Sequence, residues 1–480
     1  MHRIGDAFGR LRFMCGGTES GADMSLSEKG RTYALFTIVV LACALGSLTQ
    51  TVMNSMLGGV SADFGIDASV GQWLTTIYML ALGITVPAVT FLSQKLSVRN
   101  VVYLALCLLL AGGIVDVLAP SFPVLVAGRV LQAVGAGVTL PVVQSIAMTR
   151  FPAGQNGTAM GIAGIAMGFA PNIGPLIGGA LVDSYGWRSF FVLFDVVVVV
   201  LILATTALVK HEDAPCRDAR FEVVSFLYST LGFGGLLLAF SNAASMDIAS
   251  ALVWAPALVG VACLVLFVVR QKRIEHPLIT MQIFQFPHFR ISFIAQNCLF
   301  ASFMGITLIV PLYVQGLLGL SAVEAGLVFV PATILAVVVN PLAGILSDKA
   351  GARPVVLVAS TLLTVGAVSM AFADESTPLW LLTLMQTVRG MGVSALIGPL
   401  NSWGMGGLPG QIMMDASAFF AAVRQACASL GTAVMVLAIT ALSAAAATGV
   451  VGAQVAYQAA FGISAVLAAC VFVVAVTKVR

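Results

Sequence analysis

Charge is what this chain lacks most. Only 9% of its 480 residues are Asp, Glu, Lys or Arg, against 59% hydrophobic, and the mean hydropathy is +1.03. A soluble domain carries about 25% charged residues, so the composition excludes a soluble globular protein and requires a polytopic membrane protein. The net charge of +3 decides little, because in a membrane protein the distribution of Lys and Arg matters more than their sum.

Patterns that carry enzyme chemistry are missing as well. All four histidines (His2, His211, His276 and His288) fall in polar segments, so no intramembrane His/Asp site can form. No phosphate-binding G-x-x-x-x-G-K-S/T occurs, so the chain is not by itself an ATP-driven pump subunit. The eight cysteines include no C-x-x-C pair. Six of them (Cys43, Cys107, Cys263, Cys298, Cys427 and Cys470) lie in apolar runs, where they act as small apolar residues, and neither a disulfide framework nor a zinc site is indicated. No nucleic-acid module is present, and no cofactor, metal or obligate protein partner is expected.

What the chain has instead is long apolar runs. A span needs about 20 apolar residues, and fourteen candidates are found, at 33–57, 73–92, 101–118, 122–148, 156–184, 189–209, 223–244, 250–270, 291–316, 323–346, 354–373, 378–402, 415–441 and 455–477. The fold class is all-α, with the bilayer as its solvent. Residues 1–32 read as a disordered polar tail, and no cleavable signal peptide is evident. Counting from a cytoplasmic N-terminus, the inner loops hold Lys29, Arg31, Lys95, Arg99, Arg150, Lys210, Arg217, Arg220, Arg270, Lys272, Arg273, Arg290, Lys349, Arg353, Lys478 and Arg480. The outer loops hold Asp63, Asp67, Asp183, Asp247, Glu324, Asp374 and Glu375, with Arg188 as their one cation. This asymmetry predicts both termini on the cytoplasmic side of the cytoplasmic (inner or plasma) membrane. The connection 403–414, expected inside, carries no Lys or Arg.

The fifth span has the most unusual composition. From Gly161 to Phe191 it is too apolar for a loop and too rich in Gly and Pro for a water-soluble helix. Glycines four apart, Gly164 and Gly168 and then Gly174 and Gly178, bare a face on which a neighbour can lie backbone to backbone. Pro171 and Pro175 bend the helix, which a membrane bundle tolerates.

The stretch Gly174-Pro175-Leu176-Ile177-Gly178-Gly179, followed by Asp183-Ser184-Tyr185-Gly186-Trp187-Arg188, resembles the antiporter motif of the drug:proton antiporters. These are major facilitator superfamily members of the fourteen-helix branch. The resemblance implies two six-helix units, here 33–209 and 291–480, separated by a linker, 210–290, that holds spans 7 and 8. His276 to Phe284 resembles the inter-half linker of that branch, and reads equally as an amphipathic helix on the inner membrane surface. An internal repeat supports two units, because residues 92–99 align without gaps with 346–353.

Further motifs follow from the resemblance. Gly344 through Asp348, Lys349 and Gly351 to Arg353 resembles the superfamily's loop motif, an acid near a helix terminus with cations able to pair across the cytoplasmic face. Such pairs hold one closed state and break when the units rock. The first copy has Thr90, Gln94 and Ser97 where the family has Gly, Asp and Gly, so a latch there is weaker; either copy also reads as a solvated positive-inside loop. Arg129-Val130-Leu131-Gln132-Ala133-Val134-Gly135 resembles the fourth-helix motif tied to proton coupling, with Ala133 replacing a glycine. A charge inside the bilayer must face protein or water, so Arg129 points inward, as do Arg389 and Arg424. Hydrogen bonding to helix carbonyls is the alternative role for all three.

The departure lies in the first span, where Leu48-Thr49-Gln50-Thr51-Val52-Met53-Asn54 has Thr49 in place of the family's acid. Asp195 is the acid that sits well inside a span, with Asp116 and Glu222 at span ends. A proton-coupled exporter needs a carboxylate whose proton affinity responds to burial and substrate, and Asp195 also reads as an interfacial, hydrated acid. Arg129, Asp195, Glu222, Asp348 and Arg353 are therefore the expected coupling and gating residues. Gly174, Pro175, Gly178 and Gly179 form the expected packing motif.

The superfamily lines its cavity with helices 1, 4, 9 and 12. There the chain offers Gln50, Asn54, Gln132, Gln144, Gln296, Asn297, Phe300, Phe303, Met304, Gln386 and Arg389, to which Arg424 of span 13 is added. Amides, aromatics and Met suit an adaptable amphipathic pocket, though each residue singly also suits helix packing. The implied function is export of lipophilic small molecules, with protons and the lipid bilayer as the other partners. Two alternatives stay open, a dedicated exporter of an anionic or amphiphilic metabolite and a transport-dead scaffold or sensor.

Overall fold

In hydrocarbon every backbone N–H and C=O must be satisfied within its own segment, and the computed structural model of this chain answers with helices. It describes residues 26–66, 68–71, 73–152, 154–209, 222–245, 249–274, 277, 279–445 and 449–479. Most of the tail expected at 1–32 falls outside these, but residues 26–32 are helical. The first helix extends below its apolar run because a helix needs no lipid to continue through Ser-Glu-Lys-Gly-Arg-Thr. Lys210, His211, Arg217 and Arg220 lie outside the described residues.

The long helices are α1 Leu26–Phe64, α2 Trp73–Lys95, α3 Val98–Leu118 and α4 Phe122–Thr149, then α5, α6 Arg188–Leu208, α7 Val223–Ser245 and α8 Ala251–Gln271. They continue as α9 Pro287–Gly316, α10 Val330–Ala350, α11 Ala352–Met370, α12 Leu379–Met405, α13 Met413–Ala445 and α14 Gly449–Lys478. Each expected span has its helix. Among the described residues 12 helices are long and apolar enough to cross a membrane, and Trp73–Lys95, bent by 49° around residue 87, makes 13 if it is one span. The remaining one, α5, runs without a break through Asn156–Gly164, a π-helical turn at Ile165–Phe169, and Ala170–Tyr185. In a regular helix the ring of Pro171 would clash with the carbonyl of Met167. The wider turn, in which the Ala170 N–H reaches back to the Ile165 carbonyl, opens the helix just before that ring.

Short sequence signals set the joints. Ser97 caps α3 by accepting from the Asn100 N–H at 3.3 Å, and Gly351 turns the chain between α10 and α11 at φ +84°. Ser321 and Glu324 form a capping box before α10. In the first half α4 packs on α1, α2 and α3, while α3 packs on α6; in the second α12 packs on α9, α10 and α11, while α11 packs on α14. The α7–α8 pair closes on glycine, since a Cβ on Gly235 would meet the Gly260 Cα at 3.0 Å. Helix α7 lies against α2 and α13, and α8 leans on α7.

The linker differs from a surface-lying amphipathic helix. Its described part holds a 3₁₀ turn, Met281–Gln285, with Ile279 and Ile283 fully buried. Gln271 accepts from the Ile279 N–H at 3.1 Å and Asp415 from the Thr280 N–H at 2.7 Å. Apolar side chains that find protein partners have no reason to lie in lipid headgroups.

Helix α5 uses its glycines on two sides. A Cβ on Gly161 would meet the Asn340 carbonyl of α10 at 2.5 Å, and one on Gly398 of α12 would meet the Gly161 Cα at 2.9 Å. Toward its other end, a Cβ on Gly174 would lie 3.1 Å from the Leu48 carbonyl of α1, and one on Gly178 would lie 2.6 Å from Val52. The side chain of Pro175 and the surroundings of Gly179 are outside the described residues. Gly161→Leu should pry the halves apart where α5 meets α10 and α12. Spin labels on the exposed residues Gln155 and Lys349 should then move to longer separations, and an unchanged distance distribution would show that the glycine contact is not what joins the halves.

Candidate functional site

Four helices close around a central cavity. Ser47 and Gln50 of α1, Met167 and Pro171 of α5, Phe300 and Met304 of α9, and Arg424, Gln425 and Ala428 of α13 line it, so both halves contribute. Its volume is ≈ 40 Å³, far below the roughly 300–1,000 Å³ of a pocket that holds a drug-sized ligand. A second void of ≈ 10 Å³ lies between Phe303, Phe329, Gln386 and Ser394. Of the expected pocket residues, Gln50, Phe300, Met304 and Arg424 meet at the first and Phe303 and Gln386 at the second. The side chain of Asn54 is outside the described residues.

The remaining expected pocket residues bond within the bundle, several of them back onto their own helix. Gln296 donates to Ser292 Oγ at 3.2 Å, and Asn297 bonds back to the Phe293 carbonyl at 2.7 Å. Gln144 Nε2 faces Met167 Sδ at 3.9 Å. Ser47, Met167, Pro171, Gln425 and Ala428 were not anticipated. Met167 and Pro171 sit in and beside the π-helical turn, and the proline-glycine richness of the fifth span was the one signal pointing there.

Three buried arginines divide into two roles. Arg129 is fully buried, donates to Gln132 Oε1 at 2.8 Å and to the Thr49 carbonyl at 3.0 Å, and lies over the Tyr78 ring at 4.3 Å. Arg389 repeats this in the second half, donating to the Ser302 carbonyl at 2.9 Å and to Ser302 Oγ at 3.1 Å. Each therefore ties the fourth helix of its half to the main chain of the first, because a guanidinium in hydrocarbon must find acceptors. Arg424 instead reaches the cavity, stacked on Phe300 at 4.3 Å with Nη1 unbonded. Thr49, standing where the family's acid would be, turns its hydroxyl to the Leu45 carbonyl at 2.7 Å.

The second loop copy forms a latch, though not with cations. The Asp348 carboxylate accepts from the Gly157 N–H at 2.8 Å, the Thr158 N–H at 2.7 Å and the Thr158 hydroxyl at 2.6 Å. These donors are the open first turn of α5, where unpaired N–H groups and the helix dipole favour an anion. Lys349 and Arg353 are exposed. The first copy has no acid to offer; its Lys95 lies over Phe91, and Arg99 over Tyr103.

Other expected coupling residues are elsewhere. Glu222 pairs with Arg270 at 2.9 Å, joining the ends of α7 and α8. Asp195 on α6 is half-buried, with its Oδ1 unbonded. At the end opposite Asp348, Arg188 and Trp187 Nε1 both donate to Asp63, joining α6 to α1. The Arg188 bond and then the Trp187 bond hold the Asp63 carboxyl below the usual carboxylate range. That joint is accordingly intact at neutral pH and weakens only as pH falls through the lowered value.

Asp348→Asn keeps the size of the side chain but removes its charge and one of its two accepting oxygens. A buried or half-buried anion at a helix N-terminus contributes up to about 2 kcal/mol, so the joined arrangement should lose roughly 5- to 30-fold in population. Reactivity of a cysteine placed at Thr158 toward a water-soluble maleimide should rise accordingly, and unchanged labelling would remove the latch from the account.

The comparisons agree with this geometry. The family model described as Major Facilitator Superfamily matches residues 39–432. An uncharacterized MFS-type transporter, YcnB of Bacillus subtilis (strain 168), is 32% identical over 94% of this chain and 96% of its own. The lincomycin resistance protein LmrB of the same organism is 31% identical over 85% of this chain and 86% of its own. Among solved structures, the human organic anion transporter MFSD10 superposes with a TM-score of 0.60 at 14% identity, covering 92% of this chain and 99% of that one. The cavity between two helical halves, the latch and these likenesses lead to one conclusion: the chain belongs to the major facilitator superfamily of membrane transporters.

Proposed function

We propose that this protein exports lipophilic small molecules across the cytoplasmic membrane by alternating access, with proton entry as the driving reaction. One observation carries the reading: a cavity lined by both halves lies above a seam sealed by the Asp348 latch and the Gly161 contact. The basic end, with Lys95, Lys349 and Arg353, is the cytoplasmic one, which puts both termini inside. Residues 33–209 and 291–480 are then the rocking units, with α7 and α8 of the 210–290 segment beside them. The arrangement described is the one closed to the cytoplasm. LmrB's name as a lincomycin resistance protein supports drug-like cargo.

A second reading, a dedicated exporter of an anionic or amphiphilic metabolite, is favoured by the charge of the cavity. Arg424 lines it and, among the described residues, no carboxylate does. A dication entering would lose hydration and meet like charge in a low-dielectric surround, whereas a neutral or anionic amphiphile would not. Thr49→Asp would set a carboxylate on the cavity helix α1, at the residue whose carbonyl Arg129 holds.

Inverted membrane vesicles given an imposed pH gradient test both points. The unmodified protein should concentrate a neutral phenanthridine dye above protein-free vesicles and leave the dication propidium behind, and Thr49→Asp should raise propidium uptake. Gradient-driven uptake of neither dye would mark a scaffold. Strong propidium uptake by the unmodified protein, unaffected by Thr49→Asp, would sink the charge argument.

A further inference from the structure

Asp116, on the last turn of α3, is fully buried, and neither of its carboxyl oxygens has a hydrogen-bond partner. Few arrangements are less favourable for a bare carboxylate. The surroundings are nonetheless built to hold it. Asp116 Oδ1 rests on Gly128 of α4 and Asp195 Oδ1 on Gly113 of α3, and a Cβ at either glycine would overlap the oxygen. Gly113 and Asp116 are three apart on one helix face, so the two carboxyls lie within about one turn of each other.

Among the described residues, the charged and titratable groups facing Asp116 are few. From α4 comes Arg129, whose Nε is buried and unbonded. From α6 comes Asp195, and Tyr78 of α2 lies beneath Arg129. Arg188 reaches the Ala119 carbonyl just past α3 at 3.2 Å, but it is already paired with Asp63. One turn along α4 from Gly128 and Arg129, the Gln132 amide nitrogen is also buried and unbonded.

We infer that Asp116 and Asp195 are the proton-carrying pair of this transporter, taking over from the acid that α1 lacks. The inference rests on the proton-coupled export reading. Asp195, partly open near the end marked by Arg188, receives a proton from the outer side and passes it to Asp116. With Asp116 neutral, Arg129 is free to hold the Thr49 carbonyl and Gln132, as the structure shows. When the Asp116 O–H bond breaks and its proton leaves to water on the inner side, the carboxylate left behind attracts Arg129. The guanidinium then lets go of α1, the helix that carries Ser47 and Gln50 into the cavity. Proton and cargo are coupled through that one side chain.

Two measurements on the full chain test this. The first needs no cargo: infrared spectra of the protein in liposomes at pH 7 should show the carbonyl stretch of a protonated carboxylic acid that disappears in Asp116→Asn. Absence of that band from the unmodified protein overturns the inference. The second uses the neutral phenanthridine dye in inverted vesicles. Asp116→Asn should lose uptake driven by a pH gradient yet keep dye exchange when no gradient is applied. Gradient-driven uptake equal to that of the unmodified protein overturns the inference. Should Asp116→Asn also lose exchange, Asp195→Asn is judged by the same criterion. If the unmodified protein gives no gradient-driven uptake, the export reading itself falls, a result distinct from both.

Discussion

The close approach of α5 to helices of the other half is the contact on which everything else in this molecule depends. Backbones come near enough at Gly161 and Gly398 that no side chain fits between them. Neither partner is held there by hydrophobic burial, because lipid is as apolar as any helix face. What remains is van der Waals contact across bare backbone, and this is weak enough to be exchanged for another arrangement. Asp348 adds a directional bond to that seam at its basic end, and the cavity exists because the seam closes beneath it.

Guanidinium groups inside the bundle follow a second rule, that each seeks an acceptor on a neighbouring helix. Arg129 and Arg389 meet it with main-chain carbonyls and so become internal ties of their own halves. Arg424 meets it incompletely, through an aromatic face, and is the charge left for a passing molecule. The same residue type thus does opposite work depending on whether the neighbouring helix offers an acceptor.

Much of this was legible in the sequence, and what was not has a physical cause. Lengths of apolar runs placed the helices, of which 12 or 13 among the described residues are long and apolar enough to cross a membrane, because a bilayer demands a minimum length. Gly174 and Gly178 could be read as packing glycines from their spacing, but which helix they touch is a tertiary fact. The acid of the second loop motif could be read too. Its main-chain partners could not, since the first-turn amides of α5 belong to backbone and carry no residue signature. Asp116 was passed over as a residue at a span end. Position along a helix says nothing about burial: Leu118 at the end of α3 is exposed, while Asp116 two residues before it is buried in a helix packed on α4 and α6.

The π-helical turn at Ile165–Phe169 has a geometric consequence for the whole assembly. An α-helix advances about 100° per residue, so the midpoints of the pairs Gly161/Gly164 and Gly174/Gly178 would lie roughly 90° apart in an unbroken helix. One extra residue in the turn rotates everything beyond it by on the order of 100°. The two glycine pairs come to face nearly opposite directions, one toward α10 and α12 and the other toward α1. With that residue absorbed back into a regular helix, α5 could not lie flat against both at once. It is a two-sided spacer whose sides are set by a single irregular turn, and a change in that turn would re-index one half of the transporter against the other.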